Sequence, residues 1–268
     1  MKKRILLMVS RPRTGSSYAG ELLAKSGPFD YRGEIFNSQA PYNLKPAEFA
    51  EIFGCSMNTM APREQATLVR ENALKVLSFL GAKAGEDRVV VVKLFDNHVS
   101  KTVLETLMSS PEVGCFALDR AILPSYISLL KATVSNSWDT QDTSSLTVEF
   151  KGSPFNGWFR QQTVWFERVQ GLLAAAEKPC QLVRYEELSA ADHGHAQALL
   201  IGAAEFGLGV SLGAVTSVGE TKLKKQDKAA DYSNTVSNYN HMMRAPGIYS
   251  TRGGQDNFWE MVTRAPKI

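Results

Sequence analysis

The sequence predicts an α/β fold in which helices flank a mostly parallel central sheet. Four short β-rich runs, each followed by a helical pattern, occur at residues 5–9, 89–93, 113–118 and 181–184. Strands that alternate with helices in this way are typical of a parallel sheet with crossover helices. The second run contains four consecutive valines, and such continuous apolarity indicates a strand covered on both faces. We therefore expect this strand near the centre of the sheet.

Helical periodicity extends over residues 16–25, 62–80, 100–109, 124–132, 157–176 and 192–206. Three stretches interrupt it, near 38–61, 133–156 and 209–257, and we interpret them as irregular excursions from a single domain spanning residues 1–268. The last excursion is expected to end in a short helix near Phe258 and Trp259. In open α/β sheets such excursions tend to cover the crevice at the carboxyl ends of the strands, where ligands bind.

The charge balance and the cysteine content argue against several classes of protein. Thirty Lys and Arg residues against twenty-seven Asp and Glu give a net charge of +3, which is small for a nucleic-acid coat. No stretch approaches the roughly 18 apolar residues that a membrane span needs. Three widely separated cysteines without CxxC spacing indicate neither a disulfide framework nor a zinc site. We expect a cytoplasmic protein that binds neither nucleic acid nor metal, with its basic and apolar first residues forming a buried strand rather than a signal peptide.

An anion site is predicted where the first strand leads into residues 10–18, Ser-Arg-Pro-Arg-Thr-Gly-Ser-Ser-Tyr, and then into a helix. Backbone N–H groups around a glycine, together with a helix N-terminus, form a concave site for phosphate or sulfate. Gly15 allows close approach of the anion, and the guanidinium groups of Arg11 and Arg13 suit its oxygens. The alternative is an ordinary strand-to-helix turn that carries two solvated arginines.

The same loop lacks the GxxxxGK[ST] pattern of nucleoside-triphosphate enzymes, whose Lys and hydroxyl serve the terminal phosphates and magnesium. A sulfuryl group carries less negative charge than a phosphoryl group, so arginines, hydroxyls and amides could stabilise it without a metal. A nucleotide-dependent kinase on a related fold and a non-catalytic nucleotide-binding protein are the alternatives to a sulfuryl-transfer enzyme.

The order of residues from Pro12 to Tyr18 resembles the 5′-phosphosulfate loop of sulfotransferases, with Arg13 in the place of a cation that is commonly Lys. The resemblance implies the P-loop-like sulfotransferase fold and 3′-phosphoadenosine-5′-phosphosulfate as the donor, with 3′-phosphoadenosine-5′-phosphate as the product. It gives Arg13 a catalytic role in steadying the breaking bond. The donor ligands that we predict in this loop are Arg11, Arg13, Thr14, Gly15, Ser16, Ser17 and Tyr18.

Three later segments are also similar to this family. Arg120 and Ser128, at the end of the third predicted strand and on the next helix, match the Arg and Ser that hold the 3′-phosphate, although Ser125 competes with Ser128. Tyr185 matches a strand-end tyrosine near the adenine. Arg252 and Gly253 resemble part of a loop that closes over the 3′-phosphate, without its Lys. The expected acidic pair after Tyr185 is present as Glu186 and Glu187.

The segment from Gly33 to Asn37 resembles a Gly-Glu-x-Phe-Asn signature of the bacterial carbohydrate- or lipid-modifying branch of the family. That resemblance implies a carbohydrate or glycolipid acceptor, with a small natural product as the alternative, and Glu34 as the general base. The alternative for Glu34 is an ion pair with Arg32 or another cation. His98 is the second candidate base, and Lys93 could orient a sulfuryl oxygen or only end its strand. Trp138 and Phe155, in the second excursion, could stack on an acceptor.

Overall fold

In the computed structural model, which describes residues 4–138, 142–212, 231–251 and 254–264, the chain forms a five-stranded, fully parallel sheet. The strands are β1 (Ile5–Val9), β2 (Phe29–Gly33), β3 (Val89–Leu94), β4 (Val113–Asp119) and β5 (Leu182–Arg184). Their spatial order is β2-β3-β1-β4-β5, so the predicted fold class is confirmed.

Helices cover both faces of this sheet, as the continuous burial of β1, β3 and β4 requires. They are α1 (Ser16–Ala24), α2 (Pro46–Phe53), α3 (Pro62–Glu71), α4 (Ala73–Ala84), α5 (Lys101–Ser109), α6 (Ile122–Ser135), α7 (Gly152–Ala175), α8 (Tyr185–Ala190), α9 (His193–Leu208), α10 (Tyr239–Met243), α11 (Pro246–Tyr249) and α12 (Phe258–Arg264), with a short 3-10 helix at Met57–Thr59. None of the helices within the described ranges combines the length and apolar composition that crossing a membrane requires.

Two hydrophobic layers form because successive side chains of a strand point to opposite faces. In β1, Ile5, Leu7 and Val9 pack in the layer that α4, α5 and α7 cover. Leu6 and Met8 pack in the other layer, against α1 and α9. Each such fully buried side chain contributes about 1.5–3 kcal/mol.

The contact between α9 and β4 is unusually close. A Cβ atom added to Gly207 of α9 would lie 2.1 Å from the carbonyl oxygen of Cys115 in β4. The two backbones therefore pack directly on each other at this position.

The order of the strands places β1 at a switch point. After β1 the chain adds β2 and β3 on one side of it, and then β4 and β5 on the other. The connections that leave β1 and β4 therefore diverge at the carboxyl edge of the sheet, and this geometry opens a crevice for ligands in α/β folds.

The structure corrects several predicted boundaries. Strand β2 was not predicted, and the helix expected over 62–80 is two helices separated at Asn72. The excursion at 38–61 contains α2, and α7 begins at Gly152, within the stretch predicted to be irregular. The short helix at Phe258 is confirmed. Much of the third excursion, residues 213–230, lies outside the described residues.

Candidate functional site

The loop between β1 and α1 is held from inside by hydroxyl groups. The Ser10 hydroxyl donates to the Leu118 carbonyl at 2.7 Å, and the Thr14 hydroxyl donates to the Arg11 carbonyl at 2.8 Å. The Thr14 side chain is buried, so its hydroxyl stabilises the loop. This position differs from the prediction that the Thr14 side chain contacts the donor.

Two left-handed residues give the loop its curvature. Arg13 has φ 71° and Gly15 has φ 80°, and Gly15 is the N-cap of α1 without a side-chain cap among the described residues. Alternation of left- and right-handed residues turns successive N–H groups toward one point, and an uncapped helix end adds partial positive charge. The predicted anion site therefore has suitable backbone geometry.

Tyr185 lies directly against this loop. A Cβ atom on Gly15 would fall 2.3 Å from Cδ2 of the Tyr185 ring, so only glycine fits beneath the ring. The ring also lies against Arg120, whose guanidinium carbon is 4.7 Å from the ring centroid. Tyr185 thus joins the two segments that we predicted to bind opposite ends of one nucleotide.

The two predicted anion sites also touch directly. Arg13 Nε donates to the Ser128 hydroxyl at 3.1 Å, and Arg120 Nη1 donates to the Arg13 carbonyl at 3.2 Å. Arg13 Nη1 donates to the Trp138 carbonyl at 2.5 Å. The structure therefore brings together the loop, Arg120, Ser128 and Tyr185 at the carboxyl ends of β1, β4 and β5.

The donors around Arg120 fit a 3′-phosphate. Arg120 Nε and the Ser125 hydroxyl are buried and have no hydrogen-bond partner among the described residues. Buried donors without a partner are costly, and a phosphate offers acceptor oxygens only. Ser125 therefore joins Ser128 as a candidate ligand, which keeps both of the serines considered from the sequence.

Arg11 differs from its prediction as a donor ligand. Its guanidinium is 0% exposed, forms an ion pair with Asp119 at 2.9 Å and donates to the Arg120 carbonyl at 2.6 Å. It also lies 4.9 Å from the centroid of the Phe258 ring. Because burial keeps this side chain from the crevice, Arg11 supports the loop from within.

A second polar cluster lies at the ends of β2 and β3. Lys93 Nζ donates to the Ser17 hydroxyl at 2.8 Å and to Glu34 Oε1 at 3.1 Å. Asn37 Nδ2 donates to Glu34 Oε2 at 2.9 Å. Of the alternatives for Glu34, the structure shows an ion pair with Lys93, while Arg32 pairs with Asp30 and Glu48.

The charges in this cluster shift one another's protonation. Burial alone would raise the pKa of Glu34, but the charge of Lys93 and the hydrogen bonds from Asn37 and Lys93 outweigh it, so the pKa is lowered. Burial lowers the pKa of Lys93, and Glu34 opposes that shift. The cluster therefore holds Glu34 as an ionised carboxylate beside the donor loop.

His98 lies behind Glu34. Its ring is 1% exposed, Nδ1 is 3.2 Å from the Lys93 carbonyl oxygen, and Nε2 is 4.0 Å from Glu34 Oε2. Burial lowers its pKa to about 4, against the opposing charge of Glu34. Because its ring is buried and weakly basic, His98 is less well placed than Glu34 to accept a proton from a hydroxyl in the crevice.

The remaining predicted residues have mixed positions. Ser16 is buried at the start of α1, and the Tyr18 ring is half-buried, 6.5 Å from the His193 ring. Phe155 belongs to the core, so it does not contact an acceptor, whereas Trp138 is 53% exposed beside Arg13. Arg252 and Gly253 lie outside the described residues.

Comparisons with known proteins assign no family. No model of a known protein family matches the chain, and no curated protein matches it. The sulfotransferase resemblance therefore stays a prediction that depends on the motifs quoted above.

Proposed function

We propose that this protein is a sulfotransferase, which moves a sulfuryl group from 3′-phosphoadenosine-5′-phosphosulfate to a hydroxyl of a carbohydrate or glycolipid. The observation that carries the proposal is the direct contact of the β1–α1 loop with Arg120 and Ser128. The motifs require one nucleotide to contact both segments, and a fold that separated them would exclude it.

The residues divide between the two anionic ends of such a donor. Arg13, the backbone of the loop and the N-terminus of α1 bind the 5′ end, and Arg120, Ser125 and Ser128 bind the 3′-phosphate. Tyr185 lies between them, where its ring can contact the base. The donor supplies the sulfuryl group and a phosphate leaving group, and both need donors and positive charge rather than a carboxylate.

Glu34 takes the proton of the acceptor hydroxyl. Its pKa is lowered against the effect of burial, so the carboxylate is unprotonated at neutral pH and has a lone pair for the proton, while the same shift makes it a weaker base than a free carboxylate. Ser17 and Glu34 accept hydrogen bonds from two of the three N–H groups of Lys93, and we assign the third to an oxygen of the transferring group. By binding both groups, Lys93 holds the base, Glu34, in a fixed position relative to the donor loop.

A labelled-sulfate transfer assay over sugar, glycolipid and small-alcohol acceptors tests the proposal. We expect transfer without magnesium, and we expect Glu34→Gln to lower kcat by about 10²- to 10⁴-fold, the usual contribution of a general base. Transfer that requires ATP and magnesium would instead indicate a kinase.

Donor recognition is tested separately by thermal shift. Adenosine 3′,5′-bisphosphate should stabilise the protein more than AMP, because only the former has a group for Arg120 and Ser125. Arg120→Ala should remove this difference. Equal stabilisation of the unmodified protein by both nucleotides would contradict the assignment, and tight binding without transfer to any acceptor would favour a non-catalytic binding protein.

A further inference from the structure

A polar cluster beside the predicted reaction centre is used neither by the donor nor by the base. It consists of Asp96, in the turn after β3, and Gln161 and Gln162 on α7. Resting on the sulfotransferase function proposed above, we infer that this cluster binds hydroxyl groups of a neutral sugar acceptor.

The contacts within the cluster leave hydrogen-bonding capacity unused. Gln161 Nε2 donates to Asp96 Oδ2, and Gln162 Nε2 lies 3.5 Å from the same oxygen. Gln162 is 3% exposed, and its Oε1 atom has no hydrogen-bond partner among the described residues. A buried amide oxygen without a partner is uncommon and needs an explanation, such as a ligand that donates to it.

Two connections place this cluster at the same edge of the sheet as the donor loop. The His98 ring contacts the Lys93 carbonyl at 3.2 Å, so the turn that contains Asp96 folds back over the end of β3. Trp165, one turn further along α7 than Gln161 and Gln162, donates its ring N–H to the Ser10 carbonyl at 3.1 Å. These two contacts tie the turn of Asp96 and the neighbouring part of α7 to the edge of the sheet where Lys93 and the start of the loop lie.

The turn that contains Asp96 is fixed both by the Asp96 carboxylate, which accepts hydrogen bonds from the backbone N–H groups of Asn97 and of Asp96 itself, and by contacts from outside the turn. Arg70 of α3 donates from Nε to the His98 carbonyl at 2.6 Å and from Nη2 to the Asn97 carbonyl at 2.8 Å. Phe95 is buried and packs on the His98 ring, with centroids 4.6 Å apart. Asp96 therefore has a structural role in the turn, and the buried Gln162 Oε1 atom, which has no partner among the described residues, is the observation that points to a ligand.

The chemistry of the cluster favours a sugar. Each sugar hydroxyl both donates and accepts, and a carboxylate beside two carboxamides supplies acceptors and donors at neighbouring positions. If the oxygen and nitrogen of the Gln162 amide were interchanged, a donor would stand where the acceptor now lies. A sugar hydroxyl can pair with either group. The negative charge of Asp96 disfavours an anionic acceptor, and an apolar alcohol would leave the amide without a partner.

The test measures acceptor binding without turnover. Methyl α-glycosides of glucose, galactose and mannose are titrated into the protein with adenosine 3′,5′-bisphosphate present, and saturation-transfer NMR gives their affinities. We expect at least one glycoside to bind, and we expect Asp96→Asn and Gln162→Leu each to weaken it at least tenfold. Glu167→Gln, an exposed carboxylate change on the same helix, is the matched control and should leave the affinity unchanged.

The bisphosphate affinity of each variant, measured in the same samples, separates this inference from the proposed function. Unchanged bisphosphate affinity with lost glycoside affinity supports the sugar site. Glycoside affinity that survives both substitutions, or no glycoside binding to the unmodified protein, overturns the inference while the donor site stands. Failure of the bisphosphate to bind the unmodified protein overturns the proposed function instead, and the response of glycoside binding to the two substitutions still decides the sugar site.

Discussion

Lys93 and Glu34 form the most consequential pair at the scale of single residues. The ammonium group contacts both the donor loop, through Ser17, and the candidate base. Any movement of Lys93 therefore changes the position and the basicity of Glu34 together. We therefore expect the pH dependence of activity to change when Lys93 is replaced, although Lys93 is not itself the base.

Lys93→Met should shift the acid limb of the pH profile. In the unmodified protein the pKa of Glu34 lies below the ordinary value of 4.5, so kcat/KM should fall only below that pH. Without Lys93, burial dominates, the pKa of Glu34 rises, and the limb should move to higher pH. Turnover at pH 7 should also fall, by about 10²-fold.

Lys101→Met, which removes an exposed lysine, is the control and should keep the original profile. An acid limb that stays in place in Lys93→Met would exclude Glu34 as the group that limits kcat/KM at low pH.

His98 should make stability depend on pH. Its pKa is about 4 in the folded protein against an ordinary value of 6.5, so between these values the unfolded chain binds the proton and the folded chain does not. The free energy of unfolding is therefore not reduced by His98 above pH 6.5. It falls as the pH is lowered from 6.5 toward 4, by on the order of 3 kcal/mol in total. His98→Gln should flatten this part of the dependence.

Urea unfolding at pH 4, 5.5 and 7 measures the effect, with the same change at the exposed His195 as the control. A His98→Gln protein that loses as much stability on acidification as the unmodified one would show that this ring is not the cause.

Contiguous residues were easier to predict from the sequence than pairs. The loop from Pro12 to Tyr18 contains its own signal, because its residue types, the glycine and the following helix are adjacent in the chain. The pairing of Lys93 with Glu34 could not be found, because it requires β2 and β3 to be neighbours and β2 was not recognised. The pairing of Arg11 with Asp119 was missed for a similar reason, since each residue was interpreted without the adjacent strand.

At the scale of elements, the β1–α1 turn depends on the packing of Tyr185 over Gly15. Gly15→Ala should destabilise the protein for two reasons. Alanine in the left-handed conformation costs about 1–2 kcal/mol. Displacement of the Tyr185 ring by the added Cβ atom costs roughly 1–3 kcal/mol more. Affinity for adenosine 3′,5′-bisphosphate should also fall, because the loop must move with the ring.

Gly54→Ala is a matched control, since Gly54 has φ 71° and no atom within 4 Å of an added Cβ, so it pays only the conformational cost. Chemical unfolding and nucleotide titration of both variants give the comparison. Equal destabilisation in the two variants would show that the Tyr185 ring moves aside freely.

The elements that were mispredicted are those whose local sequence gives the weakest signal for a strand or a helix. Strand β2, Phe-Asp-Tyr-Arg-Gly, contains two charged residues and a terminal glycine, and its Arg32 is buried only because Asp30 and Glu48 pair with it. One of these two partners, Glu48, belongs to α2, which was itself interpreted as irregular. The continuous apolar runs of β1, β3 and β4 needed no such partner and were predicted within one residue at each end.

At the scale of the whole molecule, the Arg11–Asp119 pair connects β1, β4 and α12. Asp119 Oδ2 accepts from the Trp259 backbone N–H at 3.1 Å, while Oδ1 accepts from Arg11 and from the Arg120 backbone N–H. Arg11→Met should lower the free energy of unfolding by roughly 3–5 kcal/mol, because a buried carboxylate is left without its cation.

The double variant Arg11→Met/Asp119→Leu should recover part of this loss, since it removes both charges together. Arg184→Met serves as the control, because Arg184 is 46% exposed and its ion pairs are worth at most about 1 kcal/mol. Denaturant unfolding of the four proteins measures the differences, and a double variant no more stable than Arg11→Met would show that the charges are not the main cause.

The direct packing of α9 on β4 at Gly207 has a consequence for how this protein tolerates sequence change. No side chain lies between the two backbones there to absorb a larger residue, so every replacement must separate the helix from the strand. In a library of functional variants, Gly207 should therefore be as invariant as any residue of the crevice. It nevertheless lies away from the predicted ligand site, because it packs beside Cys115 in the first half of β4, and Arg120 follows the end of that strand. Invariance at that position would reflect the close packing of the two backbones. It would not show that Gly207 binds a ligand.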